Sequence, residues 1–272
     1  MIKEISSLQN DLIKDIIHLQ EKSRIRKQKG LFVIEGFREI ALALEGGYQI
    51  EQVLYCEEII DLSQIERLDF SDNSERPVII KISTKVYERL AHRKTTEGIV
   101  AIAISKSLLL SDLEFTKNPL ILVAEASEKP GNIGALLRTA DAAHVDAVII
   151  ANPKTDLYNP NIIRSSVGCV FTNQIAFGST SEILSLLKEQ HIRIYSAALD
   201  PESVAYHKID YTKPTAIVVG TEATGLGEQW LSKASEKIII PMQGKIDSLN
   251  VSVSAAILIF EAKRQRKFEL SE

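Results

Sequence analysis

The sequence is short of cysteine and of net charge, and each shortage argues against a class of protein. Only Cys56 and Cys169 occur in 272 residues, far apart and with no Cys-x-x-Cys pair, so the chain is not built as a disulfide scaffold. With no secretory pattern at its start, that cysteine usage suits the reducing cytoplasm. No apolar run approaches the ~20 residues that span a bilayer, so no membrane partner is expected. The histidines His18, His92, His144, His191 and His207 are scattered, none at a metal-ligand spacing with acidic or cysteine neighbours, so no metal is expected. A formal net charge of −4 and a pI near 5.8 argue against a strongly basic nucleic-acid binder. Any RNA contact has to come from local patches. What is present, 45% hydrophobic and 25% charged residues, is ordinary globular composition, long enough for two domains or one large one.

In the first third, Ile5, Leu8, Leu12, Ile16 and Leu19 recur at helical spacing behind Ser6-Ser7, which predicts an opening amphipathic helix. Five cations then fall within Lys22–Lys29, before Gly30. They read either as a solvated turn or as a phosphate-contacting patch that includes Arg24, Arg26 and Lys27. A strand at 31–34, a helix at 37–44, strands at 50–56 and 78–82, a helix at 84–90 and a strand at 98–103 make a small alternating α/β unit. This predicts a first domain over 1–105, a linker over 106–118 and a second domain over 119–272.

From Pro119 the alternation sharpens. Strands are predicted at 120–124, 147–151, 170–176, 192–198, 215–219 and 238–240. Helices are predicted from Asn132, near Ile162, over 181–190, over 229–234 and after Asn250. That pattern is a parallel sheet with helices on both faces. Val251-Ser-Val253-Ser could alternate as a strand, but Ala255–Phe260 and the closing Lys263, Arg264, Arg266 and Lys267 favour a helix with cations at its C-terminus.

Three stretches carry possible chemistry. Glu125-Ala-Ser-Glu-Lys-Pro-Gly-Asn-Ile-Gly-Ala-Leu-Leu-Arg-Thr-Ala-Asp141 follows a strand, where open α/β sheets hold ligands. Its Arg138 reads equally as a surface cation. Val218-Val-Gly-Thr-Glu-Ala-Thr-Gly-Leu-Gly227 is glycine-rich, yet Leu226 stands where a phosphate loop needs lysine and Trp230 where a dinucleotide fingerprint needs a small residue. A carboxylate at Glu222 would also repel phosphate. Ile238-Ile-Ile-Pro-Met-Gln-Gly-Lys-Ile-Asp-Ser-Leu-Asn-Val-Ser252 places a strand, a Pro/Gly loop and the N-cap Asn250 in direct succession.

In order, these stretches resemble the three signatures of the SpoU (TrmH-type) RNA 2′-O-ribose methyltransferases, and Arg164-Ser-Ser-Val-Gly168 is a fainter fourth match. Phe32-Val-Ile-Glu-Gly-Phe-Arg38 and Lys94-Thr-Thr-Glu-Gly98 resemble that family's N-terminal substrate-binding domain, which folds like a ribosomal RNA-binding protein. The family usually has Pro-Gln where this chain has Thr96-Glu97, and a Gly where it has His144, a residue type that tolerates a left-handed backbone. The resemblance implies a trefoil-knotted SPOUT domain, S-adenosyl-L-methionine as cofactor, and a structured RNA as partner, rRNA more than tRNA. It implies active-site roles for Asn132, Arg138, Glu222, Ser248 and Asn250, and donor contacts from Ala198, Gly220, Ile240, Met242 and Leu249. RNA contacts would come from Arg24, Arg26, Lys27, Arg38, Arg93, Lys94 and Arg164. It also implies a homodimer through the C-terminal domain, with Val251 and Ser252 to Ala256 on the dimer face. The alternatives are a non-catalytic RNA-binding protein on the same fold, and a nucleotide-dependent oxidoreductase or NTPase, which the failed glycine motifs disfavour.

Overall fold

Asn10, not Ser6-Ser7, starts the first helix: its side chain accepts the Leu12 N–H at 3.0 Å, and the chain before it is a strand. The reason is non-local, because Ile5 pairs in parallel with Ile82 and is buried there. The computed structural model describes residues 3–91, 97–221 and 224–269. Its first unit runs β1 (Lys3–Ile5), α1 (Asp11–Glu21), α2 (Ser23–Lys29), β2 (Leu31–Glu35), α3 (Phe37–Glu45), β3 (Ile50–Tyr55), α4 (Leu62–Ile65), β4 (Val78–Ile82), α5 (Thr84–Leu90) and β5 (Ile99–Ile104). The strand order is β1-β4-β3-β5-β2, parallel through β3 and antiparallel at β5 and β2. Ile13, Ile16 and Leu19 of α1 and Val86, Tyr87 and Leu90 of α5 bury the apolar face formed by Val33, Leu54, Ile80 and Ile102.

The chain continues as β6 (Leu120–Glu125), α6 (Pro130–Ala142), β7 (Ala147–Ala151), α7 (Pro160–Ser165), β8 (Ile175–Gly178), α8 (Thr180–Glu189), β9 (Arg193–Ala197), β10 (Val204–Ala205), β11 (Thr215–Val219), α9 (Glu228–Lys233), β12 (Glu236–Ile239) and α10 (Val251–Gln265). Among the described residues β6 to β12 form one sheet in the order β10-β12-β9-β11-β6-β7-β8, and every pairing is parallel. Ile121, Val123, Ala216 and Val218 share one face with residues of α8 and α9, including Ile183, Leu187 and Trp230. Alternation sends Leu122, Ala124, Ile217 and Val219 to the opposite face. There α10 packs on α6 and against β11 and β6. His144 takes the left-handed backbone expected of it, at φ 48°.

The two compact units are not consecutive in sequence: 1–107 with 156–172 form the first, 108–155 with 173–272 the second. Residues 156–172, which the pattern assigns to the second domain, complete the first unit's other face. Tyr158 stacks on Phe32 with ring centroids 4.2 Å apart, and Phe171 meets Tyr48 edge-on at 5.1 Å. Asp156 pairs with Arg26. A Cβ on Gly46 would lie 2.2 Å from the Phe171 carbonyl oxygen, so the close approach requires glycine. The predicted strand at 170–176 is therefore only Ile175–Gly178. Val170 and Phe171 are apolar because this packing buries them, not because they pair in a sheet.

Candidate functional site

Parallel strands bring their C-terminal ends to one edge, and the register decides which residues meet there. Ile238 is level with Ala197, Val218 with Ser196, and Val219 with Ala124. Ala198, Gly220, Ile240 and Glu125 therefore gather at the ends of the adjacent strands β9, β11, β12 and β6. The strand order reverses direction at β6, so this is also the sheet's topological switch point, where open α/β sheets bind ligands.

Each strand end is fastened. Ala198 donates its N–H to Ile238 O at 3.0 Å, and its carbonyl accepts Ser203 Oγ at 3.0 Å. The Lys237 ammonium bridges Asp200 at 2.9 Å and Glu202 at 3.2 Å, clipping the loop after β9 to β12. The Glu202 backbone N–H, followed by Lys237, holds the Asp200 carboxyl below the usual carboxylate range. Gly220 opens the glycine loop, and a Cβ there would sit 2.3 Å from the Gly225 carbonyl carbon. Thr221 and Gly225 exchange two backbone hydrogen bonds of 3.1 Å, and Gly225 adopts φ 66°. At its far end the Gly227 N–H donates to Glu125 Oε2 at 2.7 Å. Glu222 lies outside the described residues.

The third stretch delivers the polar groups. Met242 and Leu249 are half-buried, whereas Pro241 and residues 243–248 are exposed, among them Ser248, which hydrogen-bonds to Asp247 at 3.1 Å. Asn250 caps α10 by accepting the Ser252 N–H at 3.0 Å. Its amide also donates to Asn132 Oδ1 at 3.2 Å, joining residues 118 positions apart. Asn132 lies in the first turn of α6, which starts at Pro130 rather than at Asn132, because proline suits the first helical position. Arg138, exposed, sits six residues further on, about 9 Å along the helix. At the other end of α10, Arg266 donates to the carbonyls of Tyr211, Asn118, Pro119 and Lys213 at 2.6–3.3 Å, fixing the helix end to two loops.

The cationic positions of the first unit divide. Arg24, Lys27 and Arg38 are exposed, as is Arg164, which donates to Asn161 at 2.6 Å. Arg26 does not belong with them. It is 4% exposed, paired with Asp156, and bonded to the carbonyls of Leu19 at 2.5 Å and Gln20 at 3.1 Å, so it cannot reach a phosphate. Arg93 and Lys94 lie outside the described residues. Glu97 accepts the N–H of Phe37, capping the start of α3. Its carboxylate thus has a partner within the fold.

The sequence reading gave no role to Glu125, Gly227, Lys237 or Asp200. Position is a signal only for Glu125, the last residue of β6, and Asp200, three residues past β9; Lys237, inside β12, and Gly227, at the N-cap of α9, carry none. The edge is free of side chains at Gly220 and Gly225 and apolar at Ile240, Met242 and Leu249, which suits an adenosyl group better than a polyphosphate. Among the described residues no cluster of three or more His, Cys, Asp or Glu could hold a metal ion.

Compared with known proteins, residues 119–260 match the SpoU rRNA Methylase family and residues 10–101 the MRM3-like substrate binding domain. The chain is 27% identical to the 23S rRNA (guanosine(2553)-2′-O)-methyltransferase RlmP of Bacillus subtilis over 262 residues, which is 96% of this chain and 100% of the relative. A solved RNA 2′-O ribose methyltransferase shares 38% identity at a TM-score of 0.82, over 97% of this chain and 99% of that one. The AdoMet-bound rRNA methyltransferase from Sinorhizobium meliloti superposes at a TM-score of 0.88 with 28% identity, over 97% and 98% of the two chains.

Proposed function

Because the chain belongs to the SpoU rRNA methylase family, we propose that it methylates a ribose 2′-hydroxyl of structured RNA with S-adenosyl-L-methionine, and that the RNA is ribosomal rather than transfer RNA. One observation carries the reading furthest: the Asn250–Asn132 hydrogen bond ties the start of α10 to the start of α6, beside the edge that holds Gly220 and Ile240. Relatives matched over nearly their whole length include an rRNA 2′-O-methyltransferase, an RNA 2′-O ribose methyltransferase and an AdoMet-bound rRNA methyltransferase, which supports the catalytic reading over a non-catalytic RNA binder.

In this reading Gly220, Ile240 and Leu249 contact the donor through backbone and apolar atoms, and Ala198 and Met242 wall its pocket. The donor would supply an electrophilic sulfonium methyl, and its transfer to the ribose oxygen would release S-adenosyl-L-homocysteine and the hydroxyl proton. Asn132, Ser248 and Asn250 flank the reacting hydroxyl, and the family resemblance alone assigns Glu222 an active-site role. Positioning supplies most of the acceleration: alignment is worth roughly 7–11 kcal/mol, against about 3–5 kcal/mol from a general base. A guanidinium keeps its proton at neutral pH, so Arg138 orients a phosphate and the hydroxyl through its planar fork instead of accepting the proton. Arg24, Lys27, Arg38 and Arg164 hold the RNA backbone, and the family resemblance alone assigns RNA contacts to Arg93 and Lys94. The segment from Ile238 through α10 threads the trefoil knot. The α10 face bearing Val253, 48% exposed, meets a second copy in a homodimer, and the enzyme works in the cytoplasm.

The test is transfer of labelled methyl to total rRNA and, separately, to total tRNA lacking the modification, by wild type and by Arg138→Lys. Label in rRNA that the variant loses supports the reading and the fork. Label in tRNA alone reverses the substrate choice, near-full activity of Arg138→Lys removes the fork's role, and failure of the wild type to bind the donor sinks the class.

A further inference from the structure

Glu125 is the last residue of β6, level with Gly220 by register, and no functional role has yet been attached to it. Immediately after it, Ala126 takes φ 46° and donates its N–H to Ala151 O at 2.8 Å, so the backbone swings toward β7. The Glu125 side chain instead reaches the end of the glycine loop that follows β11. Its Oε2 accepts the N–H of Gly227, 102 residues on, at 2.7 Å.

The glycine loop is held at three places. Gly220 must lack a side chain so that Gly225 can pass against it, Leu226 is buried in the core with Ile183, Val218 and Trp230, and Glu125 accepts the Gly227 N–H. Between them the loop is closed by the Thr221–Gly225 backbone pair and by the Thr221 and Thr224 hydroxyls, 2.8 Å apart. Without that bond the Gly227 N–H loses its acceptor, and among the described residues the α9 side of the turn is held only by buried Leu226 and by the Gly227 carbonyl, which accepts the Trp230 N–H at 3.0 Å.

We infer that Glu125 is a positioning residue for the methyl donor, acting as a hydrogen-bond acceptor that fixes the glycine loop at Gly227 and not through its charge. This rests on the methyltransferase reading. The charge is dispensable because a glutamine can present the same acceptor oxygen to Gly227. Gly227 has φ −68°, within proline's range, so Gly227→Pro deletes the donated N–H from the other side; its ring also displaces the Glu125 carboxylate, whose Oε1 lies 3.2 Å from a Cβ there.

The experiment measures S-adenosylmethionine affinity by calorimetry, with kcat and KM, for Glu125→Gln, Glu125→Ala, Gly227→Pro and the double variant Glu125→Ala/Gly227→Pro. Glu125→Gln stays within about threefold of wild type. Glu125→Ala and Gly227→Pro each weaken the donor by about tenfold or more, with kcat at saturation within about threefold. The double variant is no worse than either single change, because one bond is removed twice. Wild-type affinity in Glu125→Ala, or equal loss in Glu125→Gln, overturns the inference. Amide exchange at residues 224–227 gives a readout that needs no donor. Faster exchange in Glu125→Ala than in Glu125→Gln upholds the anchor even if the wild type binds no donor, an outcome that would instead defeat the methyltransferase reading. Equal exchange in the two variants overturns the anchor. If Glu125→Ala does not fold, Gly227→Pro takes its place in both measurements, with exchange read at residues 224–226.

Discussion

Arg24 and Arg26 stand two positions apart on α2, and their chemistry is opposite. The Arg24 side chain is in water, whereas the Arg26 guanidinium is enclosed by Asp156 and two carbonyls. A lysine at 26 could not reproduce the fork and would leave a buried carboxylate partly unpaired. Arg26→Lys is therefore expected to destabilise the protein by about 3 kcal/mol, read as a lowered Tm, with the salt dependence of RNA binding unchanged. Arg24→Ala should do the reverse. A run of cations in the sequence cannot distinguish these outcomes, since the partner that buries Arg26 lies 130 residues away. Glu97 presents the same difficulty: the sequence marks a carboxylate in a basic neighbourhood, and only the fold shows it capping α3.

The strands and helices of the second unit were legible because parallel strands buried on both faces are continuous apolar runs bounded by turns and caps. Thr215–Val219 and Ala147–Ala151 are read to the residue, and α10 is read as a helix despite its alternating start. β10, two residues long, and α4, four, leave no periodic trace. The site was legible as three stretches but not as their connections, because the Asn132–Asn250 and Glu125–Gly227 bonds are made by side chains whose partners are over a hundred residues away. The end of α10 allows a test by pH. Burial, then the Arg266 guanidinium, holds the Lys263 ammonium below the ordinary lysine range. Between its folded and unfolded pKa the unfolded chain binds the extra proton, so this group adds stability as pH rises through that window. Lys263→Met should raise Tm near pH 7, and its advantage should shrink toward pH 10. Comparing the two proteins at each pH cancels the buried tyrosines Tyr48 and Tyr211, both held protonated by burial. An advantage that grows with pH would contradict this account.

At the scale of the molecule, a net charge of −4 means that RNA affinity has to depend on a few exposed cations. Replacing Arg24, Lys27, Arg38 and Arg164 together by alanine should lower the slope of log K against log salt by about 3, at roughly 0.7–0.9 per phosphate contact. Filter binding between 50 and 200 mM salt measures it, and an unchanged slope would remove all four from the RNA face. The first unit also has a consequence for synthesis. Its core contains Tyr158 and Phe171, so a nascent chain that has emerged only to residue 107 still lacks the partners of Phe32, Tyr48 and Arg26. Those partners follow about 65 residues later, on the order of 3–13 s at ordinary elongation rates. During that interval the ribosome presents a half-covered sheet beside an unfinished second unit, which is the period in which a chaperone has something to hold.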